Sequence, residues 1–174
     1  SSYVQEAHNR GLEVWALVDN FTYDVDIREI LSYTSKRQKL IEGLVNEALA
    51  LGVEGINVDF EQVPGDAGED YIEFLRELSI PCRASGLVLS VDNYVPKEYN
   101  SHYHWKEQGI VADYVIIMGY DEHYGGSQET GSVASIGYVE DGISTMVQYV
   151  PPEKVVNAVP FYTRIWETGQ DGVK

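Results

Sequence analysis

In the stretch EGINVDFEQV, residues 54–63, the apolar Ile56, Val58 and Phe60 alternate with Asn57, Asp59 and Glu61. Side chains two apart on an extended chain point to the same side, so this spacing stacks an amide and two carboxylates in one column, with Glu61 at its end. Removing two acids from water is costly unless they are hydrogen-bonded or one is protonated. Such a pair has one pKa pushed upward, which yields a general acid usable near neutral pH. Taken alone, the pair also reads as a solvated strand end with salt-bridge partners. A further acid, Asp121, follows Tyr120 in MGYDEHY at the end of another apolar run, and this favours chemistry.

Two kinds of chemistry suit these groups. Asp59, Glu61, Asp121 and His123 together carry the oxygen and nitrogen donors of a metal site, but no closely spaced pair of ligands anchors one, so no metal and no cofactor are expected. Glycosidic bond hydrolysis fits better. It needs a protonated carboxyl at the scissile oxygen and aromatic faces for the sugar rings. A retaining enzyme of the ordinary kind also needs a carboxylate nucleophile. The place for it is the end of another run, yet VVNAVPFYTR ends in Tyr162 and Thr163, and Glu167 lies further on. Substrate-assisted hydrolysis removes the difficulty, because the acetamido oxygen of an N-acetylated sugar attacks its own anomeric carbon. Asp59 would then orient the acetamido N–H, and Tyr120 would hydrogen-bond its oxygen.

Positioning these groups falls to five short apolar runs, at 13–18, 55–60, 86–91, 113–118 and 155–161. Runs apolar on both faces are the pattern of covered parallel strands. Helical stripes lie between them. One comprises Leu40, Ile41, Leu44, Val45, Ala48 and Leu49, with Gly52 as its stop; a second comprises Tyr71, Ile72, Leu75 and Leu78; a third comprises Ile136, Val139, Ile143, Met146 and Val147, ended by Pro151 and Pro152. This alternation predicts an α/β fold with a parallel sheet. Polar and aromatic loops follow the strands, at 19–24, 61–66, 92–105, 120–132 and 162–166, on the carboxyl edge where such folds bind ligands. No glycine-rich phosphate loop follows any strand, so a nucleotide fold has no support. The aromatic rim suits a barrel, but five strands cannot close one that needs eight strands and about 250 residues. The chain is therefore expected to be a piece of a larger barrel or an abbreviated one. Trp15 and Phe161 are expected in the core. Tyr94, Tyr99, Tyr103, Trp105 and Tyr124 divide between loop packing and sugar stacking.

Composition narrows the partners. The 174 residues are 44% hydrophobic and carry a formal charge of −16, which suits a globular domain and makes nucleic acid and anionic membranes poor partners. No apolar run approaches the roughly 20 residues of a membrane span, and the first residues do not read as a signal peptide. Cys82 is the single cysteine, so no internal disulfide forms.

At this point the residues carry a resemblance. EGINVDFE resembles the Asp-Gly-x-x-x-Asp-x-Glu signature of glycoside hydrolase family 18, the chitinase-like (β/α)8 TIM barrels; MGYD resembles that family's Met-x-Tyr-Asp motif, and VPFYTRIW its seventh-strand segment. The wording is similar to the bacterial branch of sporulation and spore cortex-lytic glucosaminidases. The resemblance implies a partial barrel over residues 1–174, covering strands three to seven of the family pattern. Glu61 would be the proton donor, Asp59 the acid that orients the acetamide, and Tyr120 and Asp121 contacts to that group. Tyr162 and Arg164 would be subsite residues, and Asn57, Asn93 and Tyr94 further substrate contacts. The implied substrate is a polysaccharide containing N-acetylglucosamine, cut at β-1,4 linkages, with the parent protein acting outside the cell, in the envelope or at the spore surface. A carbohydrate-binding protein without turnover is the alternative.

Two departures stand out. Glu54 replaces the first Asp of the signature, and Asn57 replaces an inner Asp that usually shares a proton with its neighbour. An amide at 57 cannot repel Asp59, so Asp59 is expected to ionise more readily than in a stacked acid pair. The open edges of a five-stranded sheet are also expected to favour association with a second copy.

Overall fold

The computed structural model describes residues 2–21, 26–169 and 172–173. Of the loop expected at 19–24, residues 22–24 lie outside the described residues. Five parallel strands form one sheet in the order β1 (Trp15–Asp19), β2 (Gly55–Asp59), β3 (Val88–Tyr94), β4 (Tyr114–Met118) and β5 (Val155–Ala158). Sequence order and spatial order coincide. Because parallel crossovers are right-handed, that coincidence places every crossover helix on the same face and leaves the other face open, as inside a barrel. A doubly wound sheet would reverse its order partway. The structure is thus the five-stranded part of a (β/α)8 barrel.

The crossovers are α3 (Thr34–Leu51), α4 (Gly68–Ala84), α5 (Trp105–Val111) and α6 (Ile136–Met146); the short α1 (Ser2–Asn9) precedes β1, and α2 (Ile27–Leu31) precedes α3. A two-residue antiparallel pair, Thr168–Gly169 with Gly172–Val173, follows β5. Asp26 caps α2 by accepting from the Arg28 N–H, Ser135 caps α6 by accepting from the Tyr138 N–H, and Gly52 ends α3 in a left-handed conformation at φ 68°. The core lies between the helices and the covered face of the sheet. There Ile56, Val58, Leu89, Val91, Val115 and Ile117 meet Tyr71, Phe74, Leu75 and Leu78 of α4, all of them buried. Each large apolar side chain sequestered this way contributes about 1.5–3 kcal/mol.

Several expectations are corrected. The stripe of α3 packs through Ile41, Val45 and Ala48, with Leu40 and Leu44 half-buried and Leu49 exposed. In α6, Ile136 and Ile143 face outward. A side chain at Gly142 would meet Val95 at 3.2 Å, so the missing Cβ lets the helix approach there, and the packed face becomes Tyr138, Gly142 and Met146. Phe161 is fully exposed rather than core, because β5 stops at Ala158 and the chain leaves the sheet. Trp15 is half-buried: it lies across Gly55, where a Cβ would sit 2.8 Å from its ring, and stacks on Tyr114 with centroids 5.3 Å apart. Trp105 and Tyr103 are buried, so they pack rather than bind.

Candidate active site

The strand register decides which side chains meet. Leu17 pairs with Asn57 and Asp19 with Asp59; Asn57 pairs with Ser90; Asp92 pairs with Ile116 and Tyr94 with Met118. By the two-residue period, Asp19, Asn57, Asp59, Ser90, Asp92 and Tyr94 all project from the open face. Glu61 lies two residues beyond the end of β2, at the rim.

The turn holding Glu61 is fixed from three sides. Asn20 donates through Nδ2 to the Glu61 carbonyl and accepts the Glu61 N–H at Oδ1, each at 2.9 Å. Gln62 adopts φ 52°, and its N–H donates to the Tyr94 hydroxyl at 3.2 Å. The Tyr103 hydroxyl accepts the Val63 N–H at 3.1 Å and donates to the Phe60 carbonyl at 3.3 Å, while a ring nitrogen of His102 lies 2.8 Å from the Val63 carbonyl. The Tyr94 phenol is also hydrogen-bonded to the Glu61 carboxyl; burial first, and that acid second, push its pKa up. The sequence does not mark Asn20 or His102 as site residues, and offers Tyr103 only for loop packing or sugar stacking. Their role runs through backbone groups of another segment, and no local motif marks that.

Beneath the rim, Asn57 links two strands. Its Nδ2 donates to Asp92 Oδ2 at 2.7 Å, and its Oδ1 accepts from the Ser90 hydroxyl at 2.6 Å. Burial pushes the Asp59 carboxyl up to about 6, with the negative charges of Asp92, Glu61 and Asp19 adding to the effect. Burial likewise raises Asp92, against the hydrogen bond from Asn57. Asn57 itself does not repel Asp59, but burial first, and then the charges of Asp92, Glu61 and Asp19, still raise its carboxyl. Position 54 is structural. Glu54 accepts the Val14 N–H at 2.7 Å and pairs with His8 at 2.9 Å, tying the start of β2 to the segment before β1.

On the far side, Tyr120 lies edge-on to Tyr162 at 6.3 Å, and its phenol is pushed up to about 12 by burial and then by Asp92 and Asp59. Asp121, at φ 58°, accepts from the Tyr162 hydroxyl at 2.7 Å and from Arg164 at 2.6 Å. Burial acts to raise its carboxyl, but those two hydrogen bonds and the Arg164 charge outweigh it and hold the pKa below its ordinary value. Asp59, Glu61, Tyr94, Tyr120 and Asp121 line one cleft of about 610 Å3, with Lys97, Tyr99, Tyr124 and Tyr138 around its rim. Tyr162 and Arg164 join it through Asp121.

Asn93 does not belong to the site. It sits on the covered face, buried, and exchanges hydrogen bonds with Gln108 at 2.7 and 3.1 Å. The third strand runs three residues past the expected run, so residues 92–94 alternate and position 93 turns inward. His123 faces Ser132, with Nδ1 at 2.9 Å from its carbonyl, and among the described residues no cluster of three or more His, Cys, Asp or Glu is placed to hold a metal ion. A second groove, of about 550 Å3 against α2 and α3, is lined by Ile30, Leu40 and Leu44 and carries no acid.

A parallel barrel face with an acid pair at one strand end and a tyrosine and a held carboxylate at another defines a glycosidase-type site. The comparisons with known proteins resolve the class further. Residues 2–174 match the family model for glycosyl hydrolases family 18, and the chain belongs to that family. It is 30% identical over 146 residues to YdhD of Bacillus subtilis, described provisionally as a sporulation-specific glycosylase, covering 80% of this chain and 34% of that protein. It is 28% identical over 147 residues to the cortical fragment-lytic enzyme of Bacillus subtilis, covering 80% of this chain and 33% of that one. Among solved structures, a chitinase from Chromobacterium violaceum superposes with a TM-score of 0.83 at 27% identity, over 92% of this chain and 53% of that one. The chain spans about a third of YdhD and about half of YvbX, another Bacillus subtilis relative (34% and 51%).

Proposed function

We propose that residues 1–174 are part of the catalytic domain of a retaining glycoside hydrolase that cleaves β-1,4 linkages following N-acetylglucosamine, with the substrate's acetamide as nucleophile. One observation carries this reading. Glu61 is held at the cleft rim by Asn20 and Tyr94, while the neighbouring Asp59 has its pKa raised to about 6 and lies on the same face. Asp121 is a poor nucleophile, because Tyr162 and Arg164 both donate to its Oδ1 and draw on its charge. The acetamido oxygen then closes on the anomeric carbon, and Glu61 protonates the departing oxygen. Asp59 accepts the acetamido N–H, and the neutral Tyr120 phenol donates to the acetamido oxygen.

The names of the relatives favour peptidoglycan of the spore cortex over chitin, and with it a place in the cell envelope or at the spore surface. No helix among the described residues is long and apolar enough to cross a membrane. The open edges of β1 and β5 are where further strands, or a second copy, would pair.

The test is hydrolysis of cortex peptidoglycan and chitooligosaccharides by the intact protein and by Glu61→Gln. Loss of turnover with retained sugar binding in the variant is expected. Equal turnover by both removes Glu61 as the acid, and binding without turnover by either makes the protein a carbohydrate-binding relative.

A further inference from the structure

Two buried carboxylate oxygens on the open face have no hydrogen-bond partner: Asp59 Oδ1 and Asp92 Oδ1. The register brings them level. Val58 pairs with Val91, and the next step along β2 and β3 sets Asp59 beside Asp92 on strands about 4.8 Å apart. The other Asp92 oxygen is already occupied by the Asn57 amide at 2.7 Å, which fixes the carboxyl plane and leaves Oδ1 as the free position. Asp19 is level with Asp59 on the opposite side, but its Oδ1 accepts the Phe21 N–H at 2.9 Å and so serves its own turn. Burying two carboxylates side by side with both oxygens unmatched is unfavourable, and a single proton held between them relieves it.

We infer that Asp92 is the proton-sharing partner of Asp59, with Asn57 holding Asp92 in place for that role. The pair carries one proton and one negative charge. When an acetamido N–H arrives, the proton moves from Asp59 to Asp92 Oδ1, and Asp59 meets the N–H as a carboxylate; no proton is drawn from solvent. Asp92 is a positioning residue, since it acts through Asp59. The other groups that bear electrostatically on the pair are Asp19 of β1, Glu61 beyond the end of β2, Tyr71 of α4, Tyr103 and Tyr120. Burial raises the pKa of each of these phenols, so they stay neutral near pH 7. Position 57 thus gives up the acid of the usual signature without losing the proton, which is lodged one strand away. This assignment rests on the substrate-assisted reading above for its use in catalysis.

Carbon-13 titration of the aspartate side chains in the intact protein tests it without turnover. In the wild type, Asp59 titrates in two steps, as coupled carboxyls do. In Asp92→Asn, which keeps an acceptor for the Asn57 amide, Asp59 titrates in one step with its midpoint lowered by about one pH unit. The acidic limb of kcat/KM moves the same way, and Asn57→Asp/Asp92→Asn restores two steps. If Asp92→Asn does not fold, Asp59→Asn is read at Asp92, whose titration must fall correspondingly. An Asp59 curve unchanged by Asp92→Asn, or an Asp92 curve unchanged by Asp59→Asn, overturns the assignment. A lowered curve in a protein that hydrolyses nothing upholds the pair and rejects the hydrolase reading instead.

Discussion

Asp92 and Asn93 are neighbours in β3 and meet opposite fates. Asp92 projects from the open face with one oxygen unmatched, while Asn93 faces the helices with its amide engaged by Gln108. Both are polar; Asn93 is buried and Asp92 half-buried. The difference teaches how to separate chemistry from scaffolding along this strand: the Asn93 amide on the covered face is satisfied, whereas Asp92 on the open face keeps an unmatched oxygen and has its pKa raised. Tyr103 and Tyr120 repeat the contrast. The Tyr103 hydroxyl is spent on the backbone of Phe60 and Val63, and Tyr120 lines the cleft.

The contrast breaks most sharply at Glu61. Glu61→Gln should lower kcat by about 1,000-fold, within the range for loss of a general acid, with an unchanged melting temperature. Asp59→Asn should cost about 100-fold in turnover and change stability in the opposite sense to most substitutions. Because the folded-state pKa of Asp59 lies near 6, above its ordinary value of 3.8, the native state holds more protons than the unfolded chain in that window, and stability falls as pH rises through it. The asparagine variant should escape that loss and be more stable than the wild type at pH 7 by up to about 2 kcal/mol, read from urea unfolding at pH 4 and pH 7. On the covered face the pattern inverts. Asn93→Leu should leave the Gln108 amide oxygen without its donor and lower stability by about 1–3 kcal/mol, with kcat of the folded fraction unchanged. Arg164→Ala should have the mildest effect, raising KM about tenfold or less with kcat nearly constant, as Asp121 loses its cation and its pKa rises. A larger loss in kcat than in KM would place Arg164 in the chemistry itself.

How much of this was legible in the sequence follows the range of the interactions. The run that became β4 was readable because it is almost wholly apolar, and the run that became β2 because its apolar residues alternate strictly with the polar column. The seven-residue α5 was not: it buries Trp105, Gln108 and Gly109, a set with no apolar stripe. Glu61, Asp59 and Tyr120 were readable because each sits in a local motif whose spacing is itself the signal. Asp92 was hidden because its meaning depends on the register between two strands, and Asn93 was misplaced because a strand end mistaken by three residues leaves the face of every residue beyond it undetermined. Asn20 and Tyr103 act across about 40 positions of chain, which no window of sequence spans.

The stacking of Trp15 on Tyr114 across Gly55 closes the end of the open face opposite the cleft with two aromatic rings. An indole seated there is an optical probe already built into the protein. Its emission would report on the seating of the first strand while sugars bind at the other end, and Gly55→Ala, by evicting the ring, would supply the reference signal for the unseated state.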